Sequence, residues 1–577
     1  MKKNKNPFEY EGSNNLSEDE ILEFYIEDYN YSRFIQSTRN IFLIGERGTG
    51  KTMALLYNSF KIQYKLAKKQ NTPVPYDKIG IHIPCNTPLF HKKEHLLIDN
   101  ILRASIVSEH FLVLSLISHI TLTLTEVEEI EDAFKPFNKE LKEEFEYVLG
   151  LELHKQSSFL SSIYKFVRKE IIEAQRIINS PNSNSFYENA FSFSSLALPF
   201  INSIKRVPIL KDSHFMLMID DAHDLNKLQI QTLNSWIAYR DHSDFSFKVA
   251  TTKSNHSYVT SNGGSILEGH DFTSIEMGKL LFNKDSDFAK MAKKIIQKRL
   301  NTLGNDLKVD DFFPINPSFE DDLEECKQKI EIEAKEKFKD GTKKQIADHI
   351  YKYARAEYFR SRSSKANRPP YSGFDTIVDI STGVVRNLLD PCFWMYDSVL
   401  SISNNEKIKQ IPPTIQSSII ISRSEAKWDV LQNLHKVVDG CSEEDGQKVF
   451  RLFDNLMVLF RERLLKHKSE PRAIMFSISQ KREDLMERLQ PLLEIAMKSQ
   501  LLYTRLGNSK DDGKQEIYYV PNRILIPARG LDPHGQHARV YLKASDILAA
   551  AENNKPFPFA DSENKDMKLV QKSLFDE

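Results

Sequence analysis

Four short runs punctuate the first half of the chain and read as strands: Ile41–Ile44, Lys78–Pro84, Phe215–Ile219 and Phe245–Thr252. The third is continuously apolar, as expected of a strand buried on both faces of a parallel sheet. Between the last two, Leu225, Ile230, Leu233, Trp236 and Ile237 recur at helical spacing. Strands alternating with helices predict an α/β fold whose parallel sheet is covered on both sides. Ahead of the first run, Ser17 and Glu20 form a capping box before Ile21, Leu22, Phe24, Tyr25 and Ile26, so residues 1–40 read as a helical lead-in. Its Tyr31 and Phe34 admit two readings, core packing or an aromatic flank for a bound base.

Residues 95–205 carry helical periodicity through 111–124, 145–152 and 159–178, broken at Ser180–Ser185, and read as a helical insert. The greasiest stretch, Phe111–Thr125, is interrupted by Ser115, Ser118 and His119 and falls short of the ~20 apolar residues of a membrane span. A buried helix and no membrane partner are expected. The insert's Lys155, Lys165, Arg168 and Lys169 sit among acids and read as a solvated face. Residues 286–400 are helical in pattern, with a basic breaker loop at Arg360–Pro370. Ser401–Ser418, containing Pro412 and Pro413, reads as a linker. In the remainder, 419–577, Val430–Leu465 and Glu483–Gln500 read as helices. Leu501–Leu506 and Glu516–Val520 read as strands about a polar turn, Asn508–Lys514, and a tail predicted to be disordered ends the chain.

The 577 residues allow roughly two to four domains. A net charge of −1, from 79 basic and 80 acidic residues, excludes a globally basic surface but not a local patch. Cys85, Cys326, Cys392 and Cys441 form no C-x-x-C pair, which suits a reducing compartment and offers no metal framework. The start, Met1 to Phe8, lacks the apolar core of a secretory signal, so a cytoplasmic location is expected. His82, His110, His119, His214 and His223 lack metal-ligand spacing and read as packed or capping histidines.

The first run leads into Gly45, Glu46, Arg47, Gly48, Thr49, Gly50, Lys51 and Thr52, which fit G-x-x-x-x-G-K-[ST] between a strand and a helix opening at Met53. Glycines let backbone N–H groups converge on phosphates, and a helix N-terminus faces them. Lys51 is expected to reach the outer phosphates of ATP and Thr52 to ligate Mg²⁺. Asp220, ending the third strand, is the expected second metal ligand, and Asp221 beside it the expected base for an attacking water. Thr251, Thr252 and Lys253 end the fourth strand, where a polar group can touch the last phosphate. In Asp379–Leu389, Ser381-Thr382-Gly383 breaks the chain and Arg386 projects opposite Val384, Val385, Leu388 and Leu389.

These segments, in this order, resemble origin-recognition-type (ORC-like) AAA+ ATPases, which are close to the STAND signalling ATPases. The resemblance implies an α/β AAA+ phosphate-loop core at 41–285 with the large helical insert, a helical lid at 286–400 and a C-terminal winged-helix-like α+β domain at 419–577. It implies ATP hydrolysis with Mg²⁺, Thr252 and Lys253 in the place of the first sensor, and Arg386 in that of the second. An arginine finger is implied too. Arg240 is a candidate, although the usual place lies after the fourth strand. Glu483–Gln500 and the two flanking strands would form the winged helix, near Arg461, Arg463, Lys466, Lys468, Arg472, Lys481, Arg482, Lys498, Arg505, Arg523 and Arg529. Double-stranded DNA is one expected partner, although Glu483, Asp484, Glu487 and Glu494 would repel it. The alternative is an ATP-dependent oligomer that senses a trigger, as in bacterial anti-phage defence, and signals to an effector protein. A third reading is an ATPase subunit with no nucleic-acid role, whose insert is a docking surface.

Overall fold

The computed structural model describes residues 6–9, 12–27, 31–85, 101–150, 152–154, 157–178, 190–239, 243–252, 257–277, 287–303, 307–339, 341–363, 369–402, 408–466, 472–508, 515–535 and 539–558. The chain divides into two compact units, one of residues 11–278 and one of residues 1–10 with 279–577.

The first unit is built on five parallel strands: β1 (Ile41–Ile44), β2 (Lys78–Pro84), β3 (His214–Asp220), β4 (Phe245–Thr251) and β5 (Thr273–Glu276). Their order is β2-β3-β4-β1-β5, with Ile41 opposite both Lys248 and Thr273 and Pro84 opposite Asp220. Side chains alternate between two apolar layers, as the period of two along a strand requires. Phe42, Ile79, Ile81, Phe215, Leu217, Phe247 and Val249 enter one core. Ile41, Leu43, Met216, Met218 and Ala250 enter the other.

The second of these layers is covered by the lead-in helices α1 (Glu18–Phe24) and α2 (Tyr31–Ile35), by α3 (Lys51–Tyr57) and, through Ile62, by α4 (Phe60–Gln70). The Ser17–Glu20 capping box opens α1 with both reciprocal bonds made. Tyr31 packs against this layer and Tyr25 stacks on Tyr57 at 3.9 Å between ring centres. The insert covers the first layer with α5 (Ile101–Thr125), α6 (Glu128–Phe134), α7 (Asn138–Leu149), α8 (Phe159–Ile178) and α9 (Leu198–Ile204), joined there by α10 (Lys227–Ile237). The helix read at 145–152 runs instead over 138–149, because Gly150 takes a left-handed conformation (φ 67°) and ends it. Among the described residues, α5 alone is long and apolar enough to cross a membrane. Val113, Leu114, Ile117, Ile120 and Leu124 nonetheless lie wholly inside this unit's core.

The second unit begins with α11 (Asp287–Asn301), α12 (Val309–Phe312), α13 (Pro317–Lys337), α14 (Lys343–Ser363), α15 (Phe374–Ile380) and α16 (Val385–Ile402). The start of the chain belongs here. Phe8 is buried against Phe312, Phe313 and Tyr396, and Arg299 donates to the carbonyls of Pro7 and Glu9 at 2.7 and 2.9 Å. Helices α17 (Pro413–Gln432) and α18 (Glu443–Lys466) follow. Two expectations are corrected at this point. The linker ends at Pro412, since a proline at the first helical position costs no hydrogen bond. Val430–Leu465 is two helices, separated around Gly440 (φ 77°).

A four-stranded sheet closes this unit, β7 (Leu502–Asn508), β8 (Gln515–Pro521), β6 (Met475–Ser479) and β9 (Arg539–Lys543) in that spatial order. Helices α19 (Glu483–Lys498) and α20 (Ala544–Asn553) pack on each other and on α18. β7 and β8 are an antiparallel hairpin. Residues 509–514 of its turn lie outside the described residues, as do Ser180–Ser185, Lys468 and the tail from 559.

Candidate nucleotide site

The loop after β1 carries two left-handed glycines, Gly48 (φ 88°) and Gly50 (φ 97°), the second capping α3. Any other residue pays strain at such angles. Gly45 is a matter of space: a Cβ there would stand 2.8 Å from the Met277 carbonyl oxygen. Lys51, the first residue of α3, is buried and turns its ammonium onto the loop's own carbonyls, Gly45 O at 2.8 Å and Glu46 O at 2.9 Å. Burial pulls its pKa down to about 8, against the opposing pull of Asp221 and Asp220. Thr49 closes the loop by donating to Glu46 O at 2.9 Å. Met53 packs into the layer beneath α3.

Thr52 and Asp220 are 168 residues apart, yet the Thr52 hydroxyl donates to Asp220 Oδ1 at 3.3 Å. Asp220 is fully buried, and its Oδ1 also accepts the Asp221 N–H at 3.0 Å. Asp221 itself sits in the left-handed region (φ 53°), which turns its side chain out of the strand's alternation. Burial first, then the neighbouring Asp220 and Asp224 charges, lift its pKa to about 6. From the loop, Arg47 reaches across to His223 Nε2 and to Asp224 Oδ1, both at 3.0 Å. Burial holds the His223 imidazole down to about 4, and it accepts this bond as a neutral ring.

At the end of β4, the hydroxyls of Thr251 and Thr252 are buried without partners among the described residues. Lys253 and Arg240 lie outside those residues. Arg386 belongs to the other unit, exposed in the first turn of α16.

The ORC-CDC6-like family model matches residues 6–315 and 306–542, nearly the whole described chain. The chain belongs to the ORC-CDC6-like family. No curated protein matches this ORC-CDC6-like chain. Among solved structures it is similar to the Aeropyrum pernix Orc1 protein in complex with DNA, at 10% identity and a TM-score of 0.26, over 94% of this chain and 92% of that one.

Membership of this AAA+ family implies a nucleotide and, usually, Mg²⁺. The residues fit both. Thr52 Oγ1 and Asp220 Oδ1 converge as hard oxygen donors of the kind Mg²⁺ takes, and among the described residues the buried Lys51 ammonium bonds to carbonyls that phosphate oxygens can replace.

Sequence reasoning missed one residue here. His82, on β2, places Nε2 3.0 Å from Asp220 Oδ2. The available signal was a lone polar side chain in an apolar strand, with no ligand spacing to mark it.

The C-terminal basic residues are less free than their listing in sequence implied. Arg523 is fully buried, donating to Pro533 O at 2.9 Å, to Gly535 O at 2.6 Å and to Asp379. Arg472 is buried against Asp532 and Tyr351 O. Arg529 pairs with Asp454 at 2.6 Å and lies over the Trp428 ring, and Arg482 pairs with Asp484. On α19, Glu483, Asp484 and Glu487 are exposed.

Proposed function

We propose that the protein is an ATP-binding and ATP-hydrolysing switch associated with double-stranded DNA. The observation that carries this reading is the meeting of Thr52 and Asp220 at the mouth of the loop that holds Lys51. Thr52 and Asp220 would hold a Mg²⁺, which would supply charge neutralisation at the outer phosphates. Lys51 leaves the Gly45 and Glu46 carbonyls for phosphate oxygens, and the N–H groups of residues 48–52 cradle them. Asp221 orients the attacking water and takes its proton, a task suited to a carboxylate raised toward neutrality. By the family resemblance, Thr252 and Lys253 take the role of first sensor of the last phosphate and Arg386 that of the second, coupling loss of the phosphate to the lid. An arginine finger, with Arg240 the candidate, completes the site in an ATP-dependent oligomer.

For DNA, the β7–β8 hairpin is the favoured element, as the wing of a winged helix, because the exposed acids of α19 oppose a phosphate backbone. On this sheet Arg539 lies over the Tyr518 ring at 4.7 Å and the Tyr541 ring at 5.7 Å. Arginine is a usual donor to phosphate oxygens, and Arg539, on β9, stands at the sheet edge opposite β7. Two experiments test the reading. Lys51→Ala is expected to weaken nucleotide binding by about a hundredfold or more, and unchanged ATPase in this variant and in Asp221→Asn removes the assignment. Duplex affinity is expected to fall steeply with salt as phosphate contacts release counterions. A flat slope, with ATP-dependent assembly on sizing, moves the output from DNA to an effector protein.

A further inference from the structure

β2 carries an alternation whose purpose lies on the α3 side of the sheet. Ile79, Ile81 and Ile83 face the insert core, so Gly80 and His82 face the side of α3. The two residues act in sequence. A Cβ on Gly80 would stand 2.3 Å from the Asn58 carbonyl oxygen and 3.2 Å from Ser59 Cα, so the glycine lets the junction of α3 and α4 lie directly on the strand. One pleat further on, His82 lies on the same face and reaches Asp220 on the neighbouring strand. The parallel register sets Met218 opposite it and Asp220 opposite Pro84, so its ring leans along the sheet toward the carboxylate.

Asp220 has no exposed surface, while the His82 side chain retains 15% exposure. A carboxylate only accepts, so His82 Nε2 is the donor in the 3.0 Å bond to Oδ2. The two oxygens are thereby divided. Oδ2 is committed to the imidazole, and Oδ1 is left pointing at Thr52 with the Asp221 N–H beside it. Without the imidazole, the fully buried Oδ2 has no hydrogen-bond partner among the described residues, and the carboxylate gains from rotating away from Thr52 to find one.

We propose that His82 is a positioning residue that fixes the Asp220 carboxylate so that one oxygen stays available to a divalent cation beside Thr52, a role that rests on the nucleotide-site reading above. Partners of this kind around a metal ligand change metal affinity about 10–100-fold when removed. The effect belongs to the cation alone, since His82 bonds to neither the phosphate loop nor Lys51.

The test titrates Mn²⁺ into the full chain at saturating ATP and follows binding by electron paramagnetic resonance, with nucleotide affinity measured separately in EDTA. His82→Ala is expected to weaken Mn²⁺ binding by about tenfold or more and to leave the affinity in EDTA unchanged. His82→Gln, whose amide donates from a similar reach, restores most of the loss. Wild-type Mn²⁺ affinity in His82→Ala overturns the proposal, as does an equal loss with and without metal. Should the alanine variant fail to fold, Gln is compared with the shorter Asn, and equal Mn²⁺ affinities in those two overturn it. A wild-type protein that binds ATP in EDTA yet takes up no Mn²⁺ with it overturns the metal site itself, a result distinct from failure of the His82 role alone.

Discussion

Replacing Lys51 with methionine separates what the lysine does for the empty protein from what it does for a nucleotide. In the fold its ammonium is buried, which pushes its pKa down to about 8 from about 10.5. At ~1.36 kcal/mol per pH unit, that difference is roughly 3 kcal/mol against the charged form. The same ammonium donates to Gly45 O and Glu46 O, bonds worth about 1.5 kcal/mol each for a charged donor. The lowered pKa is already net of those bonds, so the buried charge is a net cost at pH 7 and Lys51→Met is expected to be no less stable than wild type there. The pH sign follows from the lowered pKa. Between about pH 8 and 10.5 the unfolded chain holds a proton that the folded chain has released. Wild type therefore gains stability relative to the variant as pH rises through that window. Nucleotide binding behaves differently. Loss of the charged contact costs about 3 kcal/mol, or roughly a hundredfold in affinity. ATP at ~100 times the wild-type dissociation constant adds ~2.7 kcal/mol to wild type and ~0.4 kcal/mol to the variant. Differential scanning with and without ATP and Mg²⁺ reads both quantities. A variant that keeps its ATP-induced shift, or whose empty form loses more than about 3 kcal/mol, refutes the reasoning.

Asp221→Asn is expected to bind ATP as wild type does and to turn it over at least about a hundredfold more slowly, checked by single-turnover kinetics. Gly80→Ala drives a methyl into the Asn58 carbonyl and is expected to cost about 3 kcal/mol in urea unfolding, the upper range for overpacking. Burial holds the His110 pKa down to about 4 from 6.5 while its ring accepts the Phe191 N–H at 2.9 Å. The unfolded chain therefore binds the extra proton between pH 6.5 and 4, and stability falls with pH across that window. Unfolding at pH 7 and pH 4 is expected to show the advantage of wild type over His110→Phe shrinking by up to about 3 kcal/mol.

The nucleotide unit was legible because its signals are local. β1 runs straight into the phosphate loop, β3 is an unbroken apolar run ending in Asp220, and Ser17 with Glu20 specifies a helix start by spacing alone. The pairing of Thr52 with Asp220 was read from these same signals, and the structure adds its geometry, a 3.3 Å contact set by strand order. β5, only four residues long and partly exposed, carries too little apolar signal to find in sequence. His82 was passed over because its role depends on which strand lies beside β2. In the second unit, Pro412-Pro413 suggested a linker where a helix begins. Charge counting failed for Arg523 and Arg472, because a buried arginine and an exposed one look alike until Asp379 and Asp532 are seen beside them.

The most direct test of the account compares ATP affinity with and without Mg²⁺ in wild type, Thr52→Ala, Asp220→Asn and the double variant. The account predicts that each single change removes most of the gain due to Mg²⁺, that the double variant loses little more, and that affinity in EDTA stays as it was. Full Mg²⁺ enhancement in Asp220→Asn would show that no metal lies between these two side chains.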